Sequence, residues 1–189
     1  MSLKEIVSGF LRKYPHFKRF LKTIYIYMCV IFSIGKRRKI AYFNSNIKSI
    51  SNNSNSSFFG YYDKSPENET GRYLIYHSFS VKCKRKISPS DSIDIFLFDI
   101  LENQHYFIDS THAYNWQLGA RLQWVSEIEF TYNYFLNNQY CSKKYNVLTR
   151  EFEIINLPIF DSFKKSFFVP LDFSFLSKKS HEYGYFATK

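Results

Sequence analysis

Asn115-Trp116-Gln117-Leu118-Gly119-Ala120-Arg121-Leu122-Gln123-Trp124-Val125 holds both tryptophans of the chain. Within it, Arg121-Leu122-Gln123-Trp124 alternates polar and apolar residues, which predicts a strand with two unlike faces. Outward from this stretch, the chain from Phe58 onward repeats one kind of unit: a turn, a short strand, another turn, another strand. Upstream, Phe59-Gly60-Tyr61-Tyr62-Asp63 reads as an aromatic strand ended by Ser65-Pro66, and Glu67 to Gly71 as a polar turn. Arg72 to His77, Ile93 to Asp99 and His105 to Ile108 read as further strands, with a charged loop over 80–92. Downstream, Ala120 to Val125, Ile128 to Tyr134, Gln139 to Leu148 and Phe152 to Leu157 repeat the order. Phe168-Val169-Pro170-Leu171-Asp172 then reads as the opening of a third round.

First strands therefore end near residues 63, 124 and 172, at intervals of roughly 60 and 50 residues, and four strands per interval is the pattern of propeller blades. The expected fold is mainly β: a partial β-propeller of about two four-stranded antiparallel blades plus the start of a third, after an N-terminal amphipathic helical segment. A generic antiparallel sandwich is the alternative. A propeller of this kind needs about six blades to close. The expectation is thus an incomplete propeller, the N-terminal part of a longer protein, with open strand edges.

Particular residues carry a resemblance. Ser65-Pro66 followed by Gly71-Arg72-Tyr73-Leu74-Ile75-Tyr76 resembles the Ser-Pro-Asp-Gly-Lys-x-Ile-x-Phe motif of TolB-like, WD40-like six-bladed propellers. Extra residues separate the proline from the glycine here, so the turn is wider. Phe58-Phe59-Gly60-Tyr61-Tyr62-Asp63-x-Ser65-Pro66 with Trp116-Gln117-x-Gly119-x-Arg121-Leu122-Gln123-Trp124 is more closely similar to propeller proteins encoded among glycosyltransferase genes in bacterial surface-polysaccharide clusters. The resemblance covers about residues 58–189 and implies a scaffold and a setting rather than a reaction. Oligogalacturonate lyases share a similar architecture, but their His/Gln metal cluster has no counterpart in this sequence.

The net charge of +10 is not spread over the chain. Residues 1–40 carry ten Lys/Arg and one Glu, whereas residues 41–189 carry sixteen Lys/Arg and fifteen Asp/Glu. A nearly neutral body with a basic end argues against nucleic-acid binding and for an interaction arm. The three cysteines, Cys29, Cys83 and Cys141, have neither disulfide-framework nor zinc spacing, so no metal and no cofactor is expected. They fit a reducing cytosolic compartment.

Residues 1–43 read as a basic amphipathic helical segment. Leu3, Ile6, Val7, Phe10, Leu11 and Tyr14 follow helical spacing, and Pro15 suits the first turn of a second helix. Phe17, Phe20, Leu21, Ile24, Met28 and Ile31 continue the stripe. Lys18, Arg19 and Lys22 flank it, and Lys36, Arg37, Arg38 and Lys39 follow it. The apolar run from Ile24 to Ile34 is short of the roughly 17–25 residues of a span. A cytoplasmic helix lying on the anionic inner membrane through residues 3–39 fits this pattern, with packing on a partner protein or a true span as alternatives. Residues 44–57 are rich in Asn and Ser and read as a linker to the body, residues 58–189.

In a propeller, ligands meet the central channel or one rim. First strands would supply Asp63, then Arg121 and Gln123, then Asp172; His77, His112 and His181 lie at strand ends or in loops. Arg121 among carboxylates could bind a sugar acid or phosphate bidentately, and Trp116 beside Gln117 could stack on a sugar ring. Each also has a structural reading: Asp63 caps a turn, Arg121 pairs with a neighbouring blade's carboxylate, Trp124 is core. No nucleophile–base order or phosphate loop is present. Two functions remain: a non-catalytic scaffold of surface-polysaccharide synthesis binding glycan or a pathway enzyme, or a carbohydrate-active enzyme, transferase or lyase-like, with its site in the channel.

Overall fold

The computed structural model describes residues 14–34, 50, 56–79, 87–180 and 182–187. They belong to two units, residues 1–48 and 49–189. In the first, helix α1 spans Pro15–Ile34. Pro15 opens it, where a missing N–H is harmless and the fixed φ is already helical. Lys18, Arg19 and Lys22 sit in its N-terminal half, against the helix dipole. Phe17, Phe20, Leu21, Ile24, Met28 and Ile31 form its apolar stripe and are all exposed. No described helix is long and apolar enough to cross a membrane. The helix expected over 3–14 and the cations Lys36, Arg37, Arg38 and Lys39 lie outside the described residues.

The second unit is mainly β. Strands β1 (Ser56–Phe58), β2 (Tyr73–Phe79), β3 (Ile93–Asp99) and β4 (Gln104–Thr111) form one antiparallel sheet in sequence order. Strands β5 (Gln123–Trp124), β6 (Glu129–Leu136), β7 (Gln139–Asn146) and β8 (Phe152–Ile155) form a second with the same order. The hairpin β9 (Ile159–Phe163) and β10 (Phe167–Pro170) follows, then the short helix α2 (Phe173–Lys179). Both four-stranded sheets are meanders, the arrangement that alternating apolar runs with tight connections dictate.

The two faces of the second sheet differ. One face meets the first sheet through an apolar core. Tyr73, Ile75, Ile93, Ile95 and Leu97 pack against Phe130, Tyr132 and Tyr145. At the edge of this core Asp109 on β4 accepts the Tyr132 hydroxyl at 2.6 Å and pairs with Lys143 at 2.7 Å. The opposite face, toward the hairpin, is polar yet buried: Gln123, Thr131, Asn133 and Ser142. Burying such a face costs free energy wherever a group lacks a partner, as Thr131 Oγ1 does among the described residues. Asn133, by contrast, uses every donor and acceptor it has. Its amide donates to the Ile159 carbonyl at 3.0 Å and to the Tyr185 hydroxyl at 2.8 Å. Its Oδ1 accepts from Ser142 Oγ and from the Ile159 N–H, both at 2.8 Å.

Several boundaries differ from the sequence reading. The linker ends earlier than expected, because β1 already begins at Ser56 and pairs with Phe79. Phe59–Asp63 is not a strand: Gly60, at φ +135°, turns the chain out of the ladder. Strand β5 is only Gln123–Trp124, because Arg121 adopts φ +55°. The third round opens at Ile159, not Phe168, and Asp172 is the N-cap of α2 rather than a strand residue.

Replacing Asn133 with leucine keeps the branched shape but removes the donors to the Ile159 carbonyl and the Tyr185 hydroxyl, both buried. A loss of about 3 kcal/mol or more is expected, since each orphaned buried group costs about 1–3 kcal/mol. Urea unfolding of the variant against the parent chain measures it.

Candidate functional site

The two aromatic stretches of the sequence form one structural junction. Arg121 is buried, and its guanidinium forks onto Asp63, with Nη1 3.2 Å from Oδ1 and Nη2 3.0 Å from Oδ2. Its Nε donates to the Phe160 carbonyl at 2.7 Å and its plane lies over the Phe160 ring at 4.4 Å. A planar fork with several donors suits such a site, where a lysine would satisfy only part of it. Trp124 Nε1 donates to the Pro66 carbonyl at 2.8 Å, and the ring is half-buried against Phe130 at the rim of the inter-sheet core. The reading of Trp124 as core is therefore met only in part.

His77, on β2, lies at the centre of the junction and is fully buried. Its Nε2 accepts the Ala120 N–H at 3.0 Å, which assigns the ring proton to Nδ1. Nδ1 lacks a well-formed hydrogen bond, and the Phe59 and Phe58 carbonyls compensate it only in part. Burial pushes the imidazole down to about 4, against the favourable pull of those carbonyls. The ring presses so closely on the chain that a Cβ on Gly119 would lie 2.2 Å from His77 Cε1. Gly119 also sits at φ +60°. Gly60 is pressed in the same way against the Leu118 carbonyl, where a Cβ would meet the oxygen at 2.9 Å.

The other candidate residues separate. Trp116 packs with Phe58, Phe79 and Tyr114, and its buried Nε1 has no hydrogen-bond partner among the described residues. Gln117 is exposed. Gln123 is buried and accepts from Ser162 Oγ at 2.8 Å, tying β5 to the hairpin. His112 is exposed and bonds the Asp91 carbonyl at 2.9 Å. Asp172 accepts the Phe175 N–H at 2.8 Å. His181 lies outside the described residues. The structure thus unites Asp63, Arg121, His77 and Gln123 in or around one junction, where each is occupied by structural bonds. Among the described residues no three His, Cys, Asp or Glu side chains converge as metal ligands.

A second feature was not read from the sequence. A cleft of about 600 Å³ lies beside α2, lined from the β6–β7 turn, the β8–β9 connection, residues 170–174 and Ala187. Phe135 and Tyr140 give it an aromatic wall, their rings 4.9 Å apart. Phe173 is fully buried beneath it, stacked on Tyr185 at 4.0 Å. The Tyr140 hydroxyl donates to the Ala187 carbonyl at 3.0 Å, and burial pushes this phenol up to about 12. The cleft is assembled from segments far apart in the chain, so no local motif announces it. The two-residue turn Asn137-Asn138, with both φ positive, was its one local sign.

No family model matches the chain, and comparisons with curated proteins and with solved structures return no match.

Two outcomes test the junction. Arg121→Met should cost about 1–3 kcal/mol, chiefly because the Phe160 carbonyl loses its donor, while Asp63, exposed, loses a solvent-screened partner. Denaturant unfolding reads it. The unfolded chain protonates His77 near pH 6.5 and the folded chain only near pH 4, so falling pH favours unfolding across that window. Stability should drop by about 1.4 kcal/mol per pH unit there, a dependence lost in His77→Gln. Denaturation midpoints of both proteins from pH 7 to pH 4 give the comparison.

Proposed function

We propose that this chain is a non-catalytic scaffold of the β-propeller type, resembling the TolB-like propellers of surface-polysaccharide gene clusters. In this reading its body binds a glycan or a pathway enzyme, and α1 rests on the anionic inner membrane of a bacterium. The observation that carries the non-catalytic reading is the state of the chemical groups at the junction. Asp63, Arg121, Gln123 and His77 all hold protein groups, and His77 is buried and uncharged at neutral pH. An acid–base catalyst needs a titrating group near its working pH that can reach substrate. Two four-stranded meanders in the same strand order, followed by a third antiparallel pair, are the repeat that the propeller reading calls for.

Helix α1 supports the membrane reading. Its exposed apolar stripe runs the length of the helix, with Lys18, Arg19 and Lys22 beside its N-terminal half, so an anionic surface could take up both. Partial burial of such a stripe in the headgroup region removes apolar area from water, while the cations meet anionic lipid.

The full chain should sediment with vesicles containing a third phosphatidylglycerol and not with phosphatidylcholine vesicles. Binding should weaken several-fold between 50 mM and 500 mM salt, because surface charge is screened. The triple variant Lys18→Glu, Arg19→Glu, Lys22→Glu should stay in the supernatant. Equal binding to both vesicle types at every salt concentration overturns the electrostatic anchor.

A further inference from the structure

We infer that the cleft beside α2 is a binding site for a neutral sugar residue. The inference rests on the glycan-binding reading above and names the class of glycan. Three properties of the cleft select it. First, its walls offer apolar faces of the right kind. Phe135 and Tyr140, their rings 4.9 Å apart, line it together with Leu157 and Pro170. A pyranose ring presents a flat C–H face to such surfaces and its hydroxyls outward. Ligand sites commonly pair an apolar wall with a few placed polar groups.

Second, the polar groups at its rim are amides without other work. Asn138, Gln139 and Asn156 line the cleft, and their side chains make no hydrogen bond with any described residue. An amide both donates and accepts, as a sugar hydroxyl does, so the two match without any change of charge. Third, the lining contains no Lys, Arg or His. Its one carboxylate, Asp172, already caps α2 through Oδ1. A uronate, a phosphosugar or a nucleotide would enter a site with no counter-charge and one like charge, at a cost that a neutral sugar avoids.

The cleft is also formed in advance. The Asn137-Asn138 turn holds one rim, with φ of 49° and 64°. The Tyr140–Ala187 hydrogen bond and the Phe173–Tyr185 stack hold the floor. A preorganised site loses little ordering entropy on binding.

The test uses the full chain, isotopically labelled, titrated with chitotriose and cellotetraose as neutral probes and with trigalacturonate as the anionic one. The expected result is saturable binding of a neutral probe, unchanged between 50 mM and 500 mM salt, with shift changes confined to the lining residues. Gln139→Ala and Asn156→Ala, both at exposed positions, should each weaken it at least fivefold with an unchanged unfolding midpoint. Tighter binding of trigalacturonate in the cleft overturns the neutral class while the glycan-binding reading stands. Shift changes away from the cleft overturn the cleft as the site while the glycan-binding reading stands, and absence of binding by all three probes overturns both.

Discussion

Asn133 holds the second unit together. It sits in the middle of β6, fully buried, and five segments converge on it. Its backbone N–H donates to the Ala120 carbonyl at 2.7 Å, and its carbonyl accepts the Thr111 hydroxyl at 2.9 Å. Its side chain reaches Ser142 on β7, Ile159 on β9 and Tyr185 near the C-terminal end. Both amide donors and both acceptor lone pairs are used. In a low-dielectric interior such bonds are strong, and the penalty for breaking one is correspondingly large. An apolar residue here would bring the hairpin and the C-terminal segment to the sheet in many similar registers. The amide admits one.

The two interfaces of the second sheet therefore do different things. Toward the first sheet, large aromatic and branched side chains remove apolar area from water, which supplies most of the driving force at about 25 cal/mol per Å². Toward the hairpin, Gln123 accepts the Ser162 hydroxyl and Asn133 donates to the Ile159 carbonyl, bonds that fix position rather than add burial. The hairpin's outward face remains apolar and wet. Phe163 and Phe167 stack on each other there, 58% and 54% exposed. The outward face of the first sheet is mixed, with Phe107 59% exposed beside Phe96. Tyr76 and Phe98 are buried by their own sheet, with the Tyr76 hydroxyl 3.0 Å from His105 Nδ1.

What could be read from the sequence follows the same division. Strand alternation in Ile93–Asp99 and in Phe130–Tyr134 is a local signal, and the strands stand close to where it placed them. The pairing of Arg121 with a carboxylate from an adjoining unit was legible as one of two readings, because a buried arginine must find an acceptor. Phe59–Asp63 misled, since its aromatic content favours a strand while Gly60 takes a φ that ends one. Asp172 misled for a related reason: an N-cap has extended backbone and continues a strand pattern by one or two residues. Asn133 was invisible. A polar residue inside an apolar strand gives no local sign of whether it faces water or a set of partners brought from residues 111, 142, 159 and 185.

The cleft depends on that invisible residue. Tyr185 donates nothing to the cleft directly, yet its ring lies 5° from parallel with Phe173, which floors the cleft. Its hydroxyl is held by Asn133. The same C-terminal segment carries Ala187, whose carbonyl fixes Tyr140 on the aromatic wall. Position thus passes from the buried amide through one tyrosine to the floor and through the segment's backbone to the wall. A site on loops alone would leave such groups loosely placed, whereas second-layer hydrogen bonds and stacking hold them to a fraction of an ångström. The junction around Arg121 works in the opposite sense. There the guanidinium is used up by protein groups, Asp63 and the Phe160 carbonyl, while at the cleft the supporting groups are satisfied from behind and the amides in front remain unengaged.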